Sequence, residues 1–375
     1  MFNGLDRGNR WRRYALLLGA LSLLATVGAT ASLAAKTPSA TSKINPIFTY
    51  KKADREAHLY ACAKNEGAVT LYTSSSATDA SLKPAFEAQY PGVKMSTYIA
   101  TSPLVTRLTS EEDAGKHNFD VYNDALGNIP RDNKYFQPFW SPYMAKVQPD
   151  LTSPYYLATN GYVMSGVYYN PNLVAPSDVP KKWTDLLKPQ YKGKIYIGTD
   201  STAPAFTALL RRTYGVGYYR ALAKQVRVLN VSGRGVADLV IAGTAPMGID
   251  MSSSYYQRDH IVKGAPLLLQ LMNPMLGQFQ ASSISAHAPH PCAAMLLVDW
   301  YMNAKEGSKV LADLGNALPF KNAAILPFDI AGQMPQSKWN VISQTSKHTW
   351  TGFKDYYQAY NSWVDLYTRY FINGG

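Results

Sequence analysis

The chain has 375 residues, a formal net charge of +12 from 37 Lys and Arg against 25 Asp and Glu, 46% apolar residues and two cysteines. The basic residues are scattered in runs no longer than two, which argues against a nucleic-acid partner, and the two cysteines exclude a CxxC-type metal site. No stretch reaches the ~18 uninterrupted apolar residues of a membrane span. The chain opens with a basic stretch from Arg7 to Arg13, an apolar stretch from Tyr14 to Val27 and the A-x-A pattern Ala29-Thr30-Ala31. This order predicts a secretory signal peptide over 1–31, and with no cysteine near the cleavage site the mature protein is expected free in a bacterial periplasm. The Arg12-Arg13 pair leaves the export route open. Removing 1–31 takes four arginines and one aspartate, leaving +9. The remaining roughly 340 residues exceed one ordinary core, so two domains are expected. In an oxidising compartment Cys62 and Cys292 form either one disulfide or two buried thiols.

Residues 32–47 are polar and read as a flexible N-terminus. A helix over Lys52 to Asn65 closes at Gly67. The run AVTLYT from Ala68 is a buried strand that ends in Ser74-Ser75-Ser76, and a helix presenting Leu82, Phe86 and Tyr90 leads to a second strand from Val93 to Ile99. This βαβ unit implies a parallel sheet. Thr101 and Ser102 precede a helix with Pro103 at its first position and Gly115 beyond its end. The stretch Asp120 to Asp124 is a third strand ending in a carboxylate. A long strand from Gly161 to Asn170 is a candidate crossing between lobes, and Val179 to Lys192 reads as a short helix bracketed by prolines.

A second α/β series starts with KIYIG, the loop Thr199 to Ala203, and a helix closed by Gly215. Strand VRVLN leads to Ser232-Gly233-Arg234 and a further helix, and strand APMGI leads into Asp250, three serines and the adjacent Tyr255 and Tyr256. The strand APLLLQL, a long irregular segment, the strand ISAHA and an apolar helix from Pro291 follow. Trp350, Phe353, Tyr357, Tyr360, Trp363, Tyr367 and Phe371 recur at helical spacing and read as a packing face. The expected fold class is α/β in two lobes, each a mainly parallel sheet flanked by helices and hinged by crossing strands. The expected division is 48–150 and 278–345 in the first lobe, 151–277 in the second, and an aromatic helix over 346–375.

Several of these loops put hydroxyls immediately before helices at sheet edges. Ser74, Ser75, Ser76, Thr101, Ser102, Ser201, Thr202 and Ser232 are therefore candidate ligand-binding residues, because a helix N-terminus offers unpaired N–H groups and partial positive charge to an anion. Arg234 would add a bidentate contact. Ordinary N-capping is the plainer account of each loop taken alone.

The runs NEGAVTLYTSSSATDASLKPAFEAQYPGVK, TSPLVTRLTSEEDAGKHNFDV, YNPNLVAPSDVPKKWTDLLKPQYKGKI, IAGTAPMGID and APHPCAAMLLVDWYMN resemble the bacterial extracellular solute-binding proteins of the iron(III)-binding type, in matching order across nearly the whole mature chain. The resemblance implies a type II periplasmic-binding-protein fold, a ligand between two lobes, hinge closure, and delivery to an ABC permease in the inner membrane by a protein expected to be a monomer. It further implies that Tyr255 and Tyr256 occupy the place of the family's paired tyrosines and Asp124 lies near its carboxylate, making these three candidate ligands for a transported Fe3+ with a synergistic anion. The loops at Ser201-Thr202 and Ser232 match those that hold the anion, and both cysteine positions fall in the first lobe. Relatives carrying phosphonates, thiamine or polyamines leave those solutes as alternatives. For a polyamine the carboxylates would be Asp124, Asp200 and Asp250. A periplasmic hydrolase built on a serine, His287 or His290 and Asp124 is the minor alternative, and no G-x-S-x-G, H-E-x-x-H or P-loop pattern supports it. No enzyme activity is expected.

Overall fold

The computed structural model describes residues 44–100, 104–130, 133–200, 202–330, 332–343 and 353–374. The signal peptide expected over 1–31, Thr101, Ser102, Ser201 and Trp350 lie outside them. The chain divides into a segment Met1–Lys43 and the unit Ile44–Gly375, and every described residue belongs to the second.

Helix α1 (Arg55–Glu66) ends at Gly67, whose φ of +75° is the left-handed C-terminal position that glycine adopts without strain. Strand β1 (Ala68–Thr73), helix α2 (Lys83–Gln89) and strand β2 (Lys94–Ile99) form the expected βαβ unit, with β1 and β2 parallel and in register from Ala68↔Lys94 to Thr73↔Ile99. After α3 (Leu104–Asp113), strand β3 (Val121–Ala125) joins the other side of β1 in parallel. Both faces are covered: Leu59, Val69, Phe86, Val121, Ile284 and Trp300 share one cluster, and Tyr72, Leu104, Phe119, Tyr122 and Phe136 another. That two-sided burial is why these strands read as apolar runs without alternation.

Short strands β4 (Phe136–Gln137) and β5 (Thr152–Ser153) precede the long β6 (Tyr156–Tyr169). The stretch 179–192, expected as one short helix, is instead two 3-10 turns, Trp183–Leu187 and Pro189–Tyr191, because Pro189 interrupts helical hydrogen bonding. Strand β7 (Ile195–Ile197) leads to α4 (Ala203–Gln225), whose helical path breaks at Gly215 with φ of +86° and then resumes. Strand β8 (Val226–Val228), α5 (Gly233–Ile241), β9 (Met247–Gly248) and the short α6 (Ser253–Tyr255), prolonged by a wide turn to Ile261, complete the second series. Here β8, β7 and β9 are parallel neighbours. Trp183, Ile195, Phe206, Leu209, Met247, Tyr367 and Phe371 share one cluster; Tyr168, Val236, Val240, Met251 and Tyr256 share another.

The segment read as irregular after APLLLQL is in fact strand. Residues Leu268–Ser285 form one strand, β10, antiparallel to β6 along most of its length and to β3 at its far end, where Gln280↔Ala125 to Ile284↔Val121 pair. Its register with β6 shifts between Leu271 and Leu276, around Pro274, which has no N–H for the ladder. Polar residues such as Gln278, Gln280, Ser282 and Ser283 hide the pattern, yet all four are buried. The sheet order is β2-β1-β3-β10-β6-β9-β7-β8, so β6 and β10 tie together two parallel portions.

Helix α7 (Pro291–Met302) packs on α1, and Cys62 and Cys292 are joined in a disulfide between them with Cα atoms 5.7 Å apart. Helix α8 (Gly307–Asp313) follows. Beyond it Leu326, Ile330 and Trp339 pack into the cluster of Tyr168 and Val236, before β11 (Val341–Ser343) pairs with β10. Helix α9 (Phe353–Tyr367) lies on α4 through Trp363 and Tyr367, the packing face expected of these aromatics. Among the described residues no helix is long and apolar enough to cross a membrane.

Candidate functional site

The ends of β1, β3, β7 and β9, and the middle of β6 and β10, surround a cleft of about 210 Å³. Ser74, Ser75, Ser76 and Asp124 line it from one side, and Thr202, Ser232, Arg234 and Tyr255 from the other. The cleft therefore gathers eight of the twelve residues expected to bind ligand. Thr101, Ser102 and Ser201 are outside the described residues. Tyr256 is described and does not line the cleft: its ring stacks 5.0 Å from His260 inside the cluster of Val236 and Met251. Consecutive helical residues point about 100° apart, so turning Tyr255 to the cleft turns Tyr256 away.

Asp124 is held by donors on all sides. Oδ1 accepts from Ser74 Oγ and the Ala125 N–H, each at 2.7 Å, and Oδ2 accepts from Tyr122 Oη at 2.9 Å and Asn128 Nδ2 at 3.2 Å. Burial raises its pKa despite these four bonds. With its lone pairs engaged, Asp124 fastens the serine loop to β3 and has little left to offer a metal. The network continues across the floor. Gln280 Nε2 donates to Ser74 Oγ at 2.8 Å, while Gln280 Oε1 accepts from Tyr162 Oη at 2.8 Å and Asn160 Nδ2 at 3.0 Å. Burial pushes the Tyr162 phenol up to about 12, so it stays a neutral donor at ordinary pH.

The opposite wall differs from the expected anion cradle. Asp200 places its own carboxylate at the N-termini of both α4 and α5: Oδ1 accepts from the Thr202 N–H at 3.2 Å and Thr202 Oγ1 at 2.8 Å, and Oδ2 from the Gly233 N–H at 2.6 Å. Ser232 caps α5 by accepting from the Gly235 N–H at 3.2 Å. Thr202 Oγ1 also lies 3.0 Å from Asp250 Oδ2. A hydroxyl has one hydrogen, so it cannot donate fully to two carboxylates at once; one of the two must carry a proton or they share the threonine's. Consistent with this, burial first and the charge of Asp200 second drive the Asp250 pKa far above the carboxylate range. Asp250 Oδ1 has no hydrogen-bond partner, and the residue sits at φ +60°, a left-handed conformation uncommon outside glycine.

The arginines are already committed. Arg234 bonds Asp238 and Asp259, and Arg258 reaches Asp259 at 3.4 Å. Burial would raise the Asp259 carboxyl, but the hydrogen bond from Arg234 and the charges of both arginines bring it below its ordinary value. The two guanidinium groups stand 5.4 and 5.3 Å from the Tyr255 ring centroid. Burial raises the Tyr255 phenol, with the charge of Asp200 adding to it and the arginines opposing.

Tyr162, Asp200, Asp250, Ser252, Ser254, Arg258, Gln278, Gln280 and Asn316 also line the cleft and were not in the expected set, although Asp200 and Asp250 entered as polyamine carboxylates. Among the described residues no three histidine, cysteine or carboxylate ligand atoms converge there. The constellation of the hydrolase alternative is not assembled. His290 Nδ1 is 2.9 Å from Asp120 and His287 Nδ1 is 3.1 Å from Glu112, and neither histidine lines the cleft that contains Asp124.

No curated protein matches the chain. Solved structures do. The periplasmic binding protein P5PA superposes with a TM-score of 0.64 at 18% identity, covering 80% of this chain and 99% of its own. Iron-bound HitA from Pseudomonas aeruginosa gives 0.63 at 16%, covering 80% and 98%, and AfuA from Actinobacillus pleuropneumoniae, with fructose-6-phosphate bound, gives 0.64 at 20%, covering 80% and 98%. These likenesses show the expected fold, the two-lobed type II architecture of periplasmic binding proteins. The family model for bacterial extracellular solute-binding proteins matches residues 71–307, more than half of the chain, and the chain therefore belongs to that family, whose members hold a small solute for an ABC permease.

Proposed function

We propose that the solute is a small organic molecule carrying a cationic nitrogen, an amine or a thiazolium-type ring, with its positive group against Asp250 and Asp200. One observation carries the reading: Asp250 Oδ1 is buried at the cleft wall with no hydrogen-bond partner, beside a second carboxylate, and no cation pairs with either among the described residues. A buried, unpaired carboxylate is costly unless a ligand supplies the donor. The remaining lining, serine and threonine hydroxyls with Gln278, Gln280 and Asn316, fits the polar part of such a molecule, and about 210 Å³ exceeds what a bare ion fills. A phosphate ester is disfavoured because Asp200 already occupies the paired helix N-termini and Arg234 is already held between Asp238 and Asp259. Hinge closure of the two lobes would complete the enclosure before delivery to the permease in the periplasm.

Iron(III) as transported cargo is the second reading. It rests on two phenols, Tyr162 and Tyr255, on the same cleft and near enough for Tyr162 to raise the Tyr255 phenol further, as hard oxygen donors to a trivalent ion. Calorimetry with putrescine, spermidine, thiamine, iron(III) citrate and fructose-6-phosphate separates the readings. Saturable binding of an amine or thiamine, tighter as the pH rises, supports the first. A visible tyrosinate-to-iron band at one metal per chain supports the second, and binding of the phosphate ester alone refutes both.

A further inference from the structure

Outside the cleft lining, the end of α3, the turn after it and the loop between β10 and α7 bring Glu112, His117 and His287 together. We propose that these three side chains form a surface site for a divalent transition metal of the zinc, nickel or copper class. His117 Nδ1 lies 2.9 Å and His287 Nδ1 3.1 Å from the same oxygen, Oε2 of Glu112, and one ligand atom from each residue falls within 4.8 Å of the others. A metal about 2.0–2.2 Å from nitrogen and oxygen ligands sets neighbouring ligand atoms roughly 3.0 Å apart in octahedral and 3.4 Å in tetrahedral geometry, so both nitrogen–oxygen separations already fall close to what a metal requires.

The environment supports the same reading. The Glu112 side chain is 3% exposed, and among the described residues its only ion-pair partners are these two imidazoles. The imidazoles are 37% and 56% exposed, with ring centroids 4.1 Å apart, so an ion can enter from solvent while the carboxylate remains buried behind it. Ser285 Oγ accepts from the His287 N–H at 3.2 Å and approaches Glu112 Oε1 at 3.5 Å, linking the histidine loop to the carboxylate as an outer partner. Two imidazoles and one carboxylate suit borderline metals; Ca2+ and Mg2+ call for more oxygen. For each neutral imidazole, binding through Nδ1 moves the ring hydrogen to Nε2, so no other group has to change protonation. The second cluster of this kind, Cys62, Glu66 and Cys292, has its sulfurs joined to each other and is closed to a metal.

The test uses the untagged mature protein, titrated with ZnCl2 by calorimetry and with CuCl2 by electron paramagnetic resonance. One equivalent of zinc is expected, with copper hyperfine structure from two imidazole nitrogens. His117→Asn and His287→Asn should each weaken zinc binding at least tenfold and leave one nitrogen in the copper spectrum, Glu112→Gln should weaken it comparably, and the metal-free histidine variants should keep the wild-type circular dichroism spectrum. A copper spectrum and zinc stoichiometry unchanged in the His117→Asn/His287→Asn double variant would overturn the site, as would no measurable binding by the wild type.

Discussion

Replacing Asp250 with asparagine keeps the size of the side chain and the acceptor that Thr202 Oγ1 meets, and removes the ionisable group whose Oδ1 stands without a partner. The folded carboxyl titrates far above its ordinary value. Below pH ~4 both folded and unfolded chains hold the proton and the stabilisation of the protonated form is fully present; as the pH rises the unfolded chain releases it first, so stability falls by about 1.4 kcal/mol per pH unit until the folded group ionises. Each pH unit over which the folded group keeps a proton that the unfolded chain has lost corresponds to roughly 2–3 °C in a chain of this size. Melting temperatures of ligand-free wild type and Asp250→Asn, measured from pH 4 to 7, should therefore diverge, with the variant gaining on the wild type as the pH rises. At pH 7 the variant should also bind a cationic solute about 10- to 150-fold more weakly, the worth of one charged hydrogen bond. Parallel melting curves together with an unchanged dissociation constant would refute the account of Asp250.

Tyr255→Phe should weaken solute binding about tenfold through the lost phenol at the cleft, whereas Tyr256→Phe, altering a ring in the apolar cluster, should leave the dissociation constant unchanged by calorimetry. Cys62→Ser/Cys292→Ser opens a covalent loop spanning 230 positions and should cost about 2–5 kcal/mol in urea unfolding; a shift in midpoint equivalent to less than about 1 kcal/mol would contradict a closed bond. Gly166→Ala should be among the most damaging small changes, at about 3 kcal/mol or more, because its Cβ would fall 1.8 Å from the backbone oxygen of Gln270 on the neighbouring strand. Chemical denaturation reads that loss directly.

The parallel strands were legible because burial on both faces makes them continuous apolar runs: AVTLYT and KIYIG declare themselves, and the serines after β1 do reach the cleft. Strand β10 was not, since its buried glutamines and serines form hydrogen bonds that no periodicity announces, and Pro274 reads as a break. The wall expected as an anion cradle shows the same limit. The hydroxyls and helix ends at Thr202 and Ser232 lie where expected, but which anion sits there depends on the rotamer of Asp200, a local carboxylate that sequence cannot aim. Likewise, of Tyr255 and Tyr256 only the first lines the cleft, a matter of helical phase. Tyr162 and Gln280 went unseen because one polar side chain within an apolar strand resembles any other until the neighbouring strand is in place.

The antiparallel seam between β3 and β10 has a consequence for how the molecule comes into being. Val121–Ala125 pairs with Gln280–Ile284, and Cys62 with Cys292, so the earliest portion of the chain stays unfinished until its last third has been made. Until then the edge of β3 is bare, the covering layer from α7 is missing, and an unpaired thiol waits in α1. Such long-range closure slows folding and prolongs exposure of a strand edge. The whole of the intervening series must be threaded between two pieces of one sheet before either is secure, which makes the interval before residue 292 arrives the period in which the nascent chain is most open to misassembly.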